Sequence, residues 1–280
     1  AASSDYPLRD VYKRQGSIIA AMMLTAMATQ PVARIVLAWR EWAFAALAWR
    51  RLRELVTEHA APLPRAADPE GVAGLWLREL AWTPPGATRP VIDGLSLHCA
   101  PGSLTVVLGA NGTGKSTLLR LALGLLPPDA GAATLDGQDT HFVDRAAIGA
   151  AIGYLPQDVQ LLEGSILDNI ARFAPNAAET AVDAARRAGA HDMIGRLPQG
   201  YGAEAGPAGT LSMGQRRMIG LARALHGAPA LLALDEPEAG LDRPGREAVR
   251  AAVLAARASG AACLVVSHDA ALWAGEVDQV

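Results

Sequence analysis

A glycine-rich run limits the fold of this chain more than any other feature of its sequence. The run fits the phosphate-binding pattern G-x-x-x-x-G-K-[ST] at every fixed position, and its residues are Gly109, Ala110, Asn111, Gly112, Thr113, Gly114, Lys115, Ser116 and Thr117. An apolar, β-branched segment at 104–108 precedes it, and an apolar helical pattern at 118–126 follows it. A glycine-rich loop between a strand and a helix can turn its N–H groups inward and present the helix N-terminus to phosphate. The sequence therefore predicts an α/β domain that binds a nucleotide.

Two side chains of this phosphate loop (residues 109–117) have roles that follow from their chemistry. Lys115 can reach the β- and γ-phosphates, and the Ser116 hydroxyl can hold Mg²⁺. The alternative is a strand-to-helix turn that binds no ligand, because any short motif can occur by chance. The complete pattern in a strand-to-helix context favours the nucleotide site.

A second apolar strand pattern ends in two acids, Asp235 and Glu236. Asp235 is placed to hold Mg²⁺ opposite Ser116, and Glu236 is placed to orient the attacking water as a general base. Two acids after a strand are also compatible with a solvated loop. Together with the phosphate loop, they predict hydrolysis of the bound nucleotide.

Composition narrows the class of protein. The chain is 51% apolar, with a net charge of -3, a mean hydropathy of +0.17 and an isoelectric point near 6.1. The apolar content favours contact with lipid, and the charge disfavours nucleic acid, which is normally bound by strongly basic domains. Cys99 and Cys263 lie in strand-like stretches without metal-ligand spacing, which indicates reduced core residues of a cytosolic domain, although a disulfide stays possible on sequence alone.

The N-terminal part of the chain differs from the rest. Residues 1–15 are polar and aperiodic, and residues 10–15 resemble translated adaptor read-through, so we interpret 1–15 as a non-native tail and exclude it from fold reasoning. Residues 15–33 carry no charge, which predicts a transmembrane helix that begins at residue 16. A buried helix of a soluble core and a signal peptide are the alternatives, although no cleavage site is followed by a secreted-looking domain.

Five arginines and two glutamates follow at helical spacing between residues 34 and 54. By the positive-inside rule they place this end of the predicted span in the cytoplasm, so 16–57 is interpreted as the span with a cytoplasmic extension. Residues 58–74 are proline-rich and predict a linker. The alternation of strand and helix patterns from residue 75 to 280 predicts the α/β domain.

Residues 211–215, the LSMGQ motif, resemble the L-S-G-G-Q motif of ATP-binding cassette (ABC) ATPases. Ser212 and a glycine at a helix N-terminus make a second anion site. The resemblance implies that Ser212, Gly214 and Gln215 bind the γ-phosphate held by the phosphate loop of a second domain, so that ATP lies in a dimer interface. Met213 departs from the usual glycine. The implied fold is a P-loop NTPase of ABC type, with a mixed sheet core and antiparallel β and helical subdomains, preceded by one transmembrane helix.

Other segments resemble the same family in the expected order. The resemblance implies that Gln157 senses Mg²⁺ and couples to a membrane domain, and that Leu241 and Asp242 touch the partner subunit. It also implies that His268 contacts the γ-phosphate and that Trp82 stacks on adenine, although a core tryptophan is the simpler alternative. The implied ligands are ATP and Mg²⁺, with Ser116, Gln157 and Asp235 serving the metal.

Several longer strings resemble the type I secretion permease/ATPase family: 153–159, 168–173, 188–191 and 197–201. This resemblance implies the C-terminal fragment of a bacterial inner-membrane exporter, cut at both ends, with its last transmembrane helix and a cytoplasmic ATPase domain. The implied partners are a second copy or another half-transporter, a periplasmic adaptor, an outer-membrane channel and an exported protein, with no nucleic acid. Two alternatives stay open: an exporter of peptides, lipids or small molecules, and a non-transport ABC module whose residues 16–33 form a soluble helix.

Overall fold

The computed structural model describes residues 6–58, 73–206 and 211–279, and the chain divides into one unit up to residue 60 and a second from residue 61. The first unit contains a single described helix, α1 (Tyr6–Glu58), which begins inside the segment interpreted as a tail. Nearly all of the predicted linker, residues 59–72, lies outside the described residues.

The membrane span predicted from residue 16 lies within α1. None of the helices in the three described ranges is long and apolar enough to cross a membrane, so the predicted span is not found. Thr25, Thr29 and Gln30 lower the hydropathy of its second half. The Thr25 and Thr29 hydroxyls each donate to the carbonyl one turn earlier, at 2.7 and 2.9 Å, which lets a helix carry these polar groups.

The second unit contains two four-stranded sheets. Its strands are β1 (Leu75–Trp82), β2 (Ile92–Cys99), β3 (Leu104–Leu108), β4 (Ala130–Leu135), β5 (Gln138–Asp139), β6 (Ile152–Leu155), β7 (Leu231–Asp235) and β8 (Ala262–Ser267). One sheet is parallel in the order β3-β8-β7-β6, and the other is antiparallel in the order β2-β1-β4-β5. Both strand directions predicted for the ABC-type fold are present, in two separate sheets.

The helices of the second unit are α2 (Lys115–Ala122), α3 (Arg145–Gly149), α4 (Ile166–Ile170), α5 (Ala178–Arg187), α6 (His191–Gly195), α7 (Met213–Leu225), α8 (Arg243–Ala258) and α9 (Ala270–Trp273), with a 3₁₀ turn at Gly200–Gly202. They contribute to two hydrophobic cores, one on each face of the parallel sheet. On β7, Leu232 and Leu234 face the core formed with α4 to α8, while Leu231 and Ala233 face the core shared with α2 and the antiparallel sheet. Burial on both faces explains why this strand is apolar throughout.

Both cysteines are free and buried, as the sequence predicts. Cys99 belongs to the core beside the antiparallel sheet, and Cys263 belongs to the core beside the helices. Burial raises the pKa of Cys263 to about 12, which keeps this thiol protonated and unreactive.

Candidate nucleotide site

The carboxyl ends of the four parallel strands bring the sequence-predicted groups to one edge of the sheet. The phosphate loop follows β3, Gln157 follows β6, Glu236 follows β7 and His268 follows β8. The register sets Leu108 opposite Ser267 and Asp235 opposite Val266, so β3, β8 and β7 end nearly level. In open α/β sheets this edge is where ligands bind.

The side chain of Lys115 folds back onto the phosphate loop to which it belongs. The Lys115 side chain is buried, and its Nζ donates to the carbonyls of Gly109 and Ala110 at 2.9 and 2.7 Å. Gly114, the residue before α2, has a φ of 93°, and a Cβ there would lie 2.5 Å from a Val91 methyl carbon, so only glycine fits. The loop therefore presents an ammonium group and the N-terminus of α2 to the same space.

Asp235 and Ser116 form the candidate metal-binding pair. Asp235 is only 2% exposed, and the Ser116 side chain lies near it. Its Oδ1 is buried without a hydrogen-bond partner. Burial raises the pKa of Asp235, as does Glu236, whereas Ser116, Arg120 and Lys115 lower it. A buried carboxylate oxygen without a partner, next to a hydroxyl, is the donor set that Mg²⁺ takes beside phosphates, so these residues fit the ion.

The Glu236 carboxylate is held on both oxygens. Its Oε1 lies 2.6 Å from Nε2 of His268, and its Oε2 accepts from Nε2 of Gln157 at 3.1 Å. Hydrogen bonds on both oxygens fix the orientation of a carboxylate. The structure therefore brings together three residues that lie far apart in the sequence. Glu236 and His268 are predicted to act at the γ-phosphate, and Gln157 is predicted to sense Mg²⁺.

A cavity of about 510 Å³ extends from Gln157 and Glu236 to Trp82 at the end of β1, and His268 lines a neighbouring cavity that also contacts Glu236. The walls of the first of these cavities include most of the phosphate loop together with residues from four other segments: Trp82, Pro84, Val91, Asn111, Gly112, Gly114, Lys115, Ser116, Thr117, Gln157 and Glu236. Trp82 is half-buried, and it packs against the core beside the antiparallel sheet while also lining the cavity. An aromatic ring in that position can stack on a base.

The LSMGQ motif lies in a second cavity, of about 750 Å³, which shares no lining residue with the first. Ser212 is the N-cap of α7, and its side chain accepts from the Gln215 backbone N–H at 3.2 Å. The Gln215 Oε1 accepts from the Ser212 backbone N–H at 2.8 Å, which completes a capping box. Met213 is 76% exposed, and Leu241 and Asp242 line the same cavity. One copy of the chain therefore carries the two predicted anion sites on separate surfaces.

Two buried charged residues of the site were missed by sequence reasoning. Glu238 accepts from the Ser267 hydroxyl and from the His268 backbone N–H, and its Oε2 is buried without a partner. Arg217 projects from α7 to backbone carbonyls near Glu236. Glu238 lies two residues after Glu236, so its spacing was a usable signal. Arg217 lies among the buried apolar residues of α7, and no pattern in a single sequence marks its partners.

Comparison with known proteins agrees with this geometry. The family described as ABC transporter matches residues 92–239, a range that contains the phosphate loop, the LSMGQ motif and the two acids at the end of β7. Over 258 residues the chain is 42% identical to the "Type I secretion system ATP-binding protein PrsD" of Rhizobium meliloti. This alignment covers 90% of the present chain and 44% of PrsD. It is 37% identical over 232 residues to the "Cyclolysin secretion/processing ATP-binding protein CyaB" of Bordetella pertussis. This alignment covers 81% of the present chain and 32% of CyaB.

The chain thus spans less than half the length of these two relatives. Among solved structures, a bacterial Atm1-family ABC exporter with ATP bound is similar to it, with a TM-score of 0.67 and 29% identity. That match covers 80% of this chain and 40% of the exporter chain.

Proposed function

Because this chain belongs to the ABC transporter family, we propose that it hydrolyses ATP in a site shared by two copies and that the hydrolysis drives export. The observation that carries the proposal is the position of Glu236. Its carboxylate is fixed by His268 and Gln157 at the edge of the cavity that the phosphate loop lines.

In the proposed reaction the phosphate loop binds and orients the triphosphate. Lys115 exchanges the carbonyls of Gly109 and Ala110 for phosphate oxygens, and the loop N–H groups and the α2 N-terminus supply further donors. Trp82 stacks on the adenine. Ser116, Asp235 and Gln157 would hold Mg²⁺, which would supply positive charge to neutralise the phosphates.

Glu236 takes the proton of the attacking water. Its Oε1 and Oε2 already accept hydrogen bonds, so the carboxylate is oriented before ATP arrives, and one lone pair on each oxygen stays available. His268 steadies both Glu236 and the γ-phosphate. Ser212 and Gly214 of the partner copy complete the site from the opposite side, so that ATP closes the dimer and hydrolysis opens it.

Replacing the base tests this reaction. We expect Glu236→Gln to bind ATP as the parent chain does, because no loop contact changes, and to lower turnover by about 10²–10⁴-fold, the usual contribution of a general base. The measurements are the ATP Kd by fluorescence and steady-state phosphate release. The matched control is Glu247→Gln, the same change at an exposed carboxylate on α8.

Near-parental phosphate release by Glu236→Gln would exclude Glu236 as the base. Loss of turnover in Glu247→Gln would instead show that the assay responds to any change of charge. Parental turnover in the control, with loss only in Glu236→Gln, supports the proposal.

The cargo that we propose is a protein exported by a type I secretion system. The support is the identity to PrsD and CyaB, whose names describe secretion. On this proposal the whole protein lies in a bacterial inner membrane with its ATPase domain in the cytoplasm. It pairs with a second copy or another half-transporter and works with a periplasmic adaptor and an outer-membrane channel.

A chimera tests the cargo. This chain replaces the matching segment of PrsD in Rhizobium meliloti, and the secreted proteins are compared with those of the parent strain and of a Glu236→Gln chimera. Secretion restored by the active chimera alone supports the proposal. An active ATPase that restores no secretion favours an exporter of small molecules, peptides or lipids, in line with the similarity to the Atm1-family exporter.

A further inference from the structure

Arg217 connects three backbone segments around the proposed base. Its side chain projects from α7 and is 6% exposed. Nη1 donates to the carbonyls of Glu236 and Ala239 at 2.8 and 2.6 Å, and Nη2 donates to the carbonyl of Gln157 at 2.6 Å. One planar guanidinium group therefore spans α7, the loop after β6 and the loop after β7.

The Glu236 backbone needs such support. Its φ is 48°, in the left-handed region, where a residue other than glycine is strained. The Glu236 N–H donates to the Val266 carbonyl at 2.8 Å, and its own carbonyl accepts from Arg217. These two bonds fix the peptide groups on both sides of the Glu236 Cα, and they fix the direction in which its carboxylate leaves the backbone.

Gln157 is held by the same guanidinium group. Its side chain donates to Glu236 Oε2, while its carbonyl accepts from Arg217. A shift of Arg217 would therefore move the base and one of the two donors that orient it.

The charge of Arg217 suits this place. Burial lowers its pKa, whereas the carboxylates of Glu236, Glu238, Asp235 and Asp158 raise it. A lysine could keep the charge, but it lacks the flat fork that reaches carbonyls in two directions.

We propose that Arg217 is a positioning residue that fixes the carboxylate of Glu236 for hydrolysis and ties it to α7, the helix that Ser212 caps. It acts through the carbonyls of Glu236, Ala239 and Gln157, and it lines neither the nucleotide cavity nor the cavity of the LSMGQ motif. This inference rests on the proposed role of Glu236 as the base.

The test compares Arg217→Lys and Arg217→Met in the purified 280-residue chain. We expect Arg217→Met to lower kcat on the order of 10²-fold, the effect of misplacing a catalytic group by about 1 Å, and Arg217→Lys to lower it less. The ATP Kd stays at the parental value in both variants, because no phosphate-loop contact changes. If the methionine variant does not fold, the lysine variant alone decides.

Arg172 provides the matched control. It is a half-buried arginine that also binds backbone carbonyls, with Nη1 to Gly149 at 2.7 Å and Nη2 to Ile152 at 3.1 Å, but it lines neither cavity of the site. Arg172→Lys is expected to lower the Tm while leaving kcat of the folded protein unchanged. Parental kcat in a folded Arg217→Lys variant, or equal kcat losses in the Arg217 and Arg172 variants, would overturn the inference.

A double variant separates this inference from the proposed function. If Arg217 acts through Glu236, Arg217→Lys adds no further loss in the Glu236→Gln background, because coupled residues are not additive. An additional loss there would overturn the inference while leaving Glu236 as the base. Full activity of Glu236→Gln alone would instead reject the proposed function.

Discussion

At the scale of single residues, Asp235 combines a cost in stability with a role in binding. Its Oδ1 is buried without a partner, and burial raises its pKa. An acid whose pKa is higher in the folded state destabilises the fold when it is ionised, and that cost disappears as the pH falls below its unfolded pKa. The free energy is recovered when a cation binds the same oxygen.

We therefore expect Asp235→Asn to raise the Tm of the ligand-free chain by a few degrees at neutral pH. The difference shrinks as the pH is lowered towards the unfolded-state value of about 3.9. Adding Mg²⁺ and ATP raises the Tm of the parent chain but not that of the variant, because ligands stabilise only the state that binds them. Differential scanning fluorimetry over a pH series measures both effects.

Asp183→Asn is the control for that experiment, since Asp183 is an exposed acid paired with Arg187. It should change neither the pH dependence nor the response to Mg²⁺ and ATP. A lower Tm for Asp235→Asn at neutral pH would show that the ionised carboxylate stabilises the ligand-free fold, against this account.

At the scale of elements, α7 has both a structural and a proposed chemical role at its N-terminus. The Ser212 and Gln215 capping box satisfies two N–H groups of the first turn. Helix α4 begins with the same device, formed by Ser165 and Asp168, away from both cavities. The two helices allow the cap and the anion site to be separated.

We expect Ser212→Ala and Ser165→Ala each to reduce the free energy of unfolding by about 1 kcal/mol, the usual value of an N-cap. Only Ser212→Ala should lower ATP turnover, on the order of 10²-fold, as for the loss of one donor to a transition-state oxyanion. Urea unfolding gives the first quantity and phosphate release gives the second. Equal turnover in the two variants would mean that Ser212 is a cap and nothing more.

The strands show how far the sequence predicts this site. The predicted strand at 104–108 coincides with β3, and the strand before Asp235 coincides with β7, because buried parallel strands are continuous apolar runs. The order β3-β8-β7-β6 cannot be read from the sequence, because no two neighbouring strands of this sheet are connected by a short turn. Their connections contain helices or other strands. Glu236, Gln157 and His268 were thus predicted singly, while the hydrogen bonds among them depend on that order.

Arg217 marks the other limit of sequence reasoning. A buried charge is recognised by its partners, and its partners here are three backbone carbonyls. Every residue has a backbone carbonyl, so the identity of a residue does not reveal whether its carbonyl will bind a buried arginine. The membrane span was expected from a charge-free segment, but absence of charge is a weaker criterion than continuous apolar character.

At the scale of the whole molecule, the two anion sites of one copy lie in separate cavities, and we propose that they act on different nucleotides. The phosphate loop and the LSMGQ motif line separate cavities with no residue in common. A pair of copies related by two-fold symmetry places each phosphate loop opposite the partner's motif, because the same surfaces meet twice in such a dimer. The proposed hydrolysis therefore requires two chains.

Mixing two inactive variants tests this central claim most directly. Lys115→Ala disables the phosphate loop and Ser212→Ala disables the motif, and neither variant alone should hydrolyse ATP at a substantial rate. In an equal mixture half of the dimers are mixed and each has one intact composite site, so we predict about a quarter of the parental rate. A mixture no more active than the sum of its two components would contradict the account, because each chain would then use only its own residues.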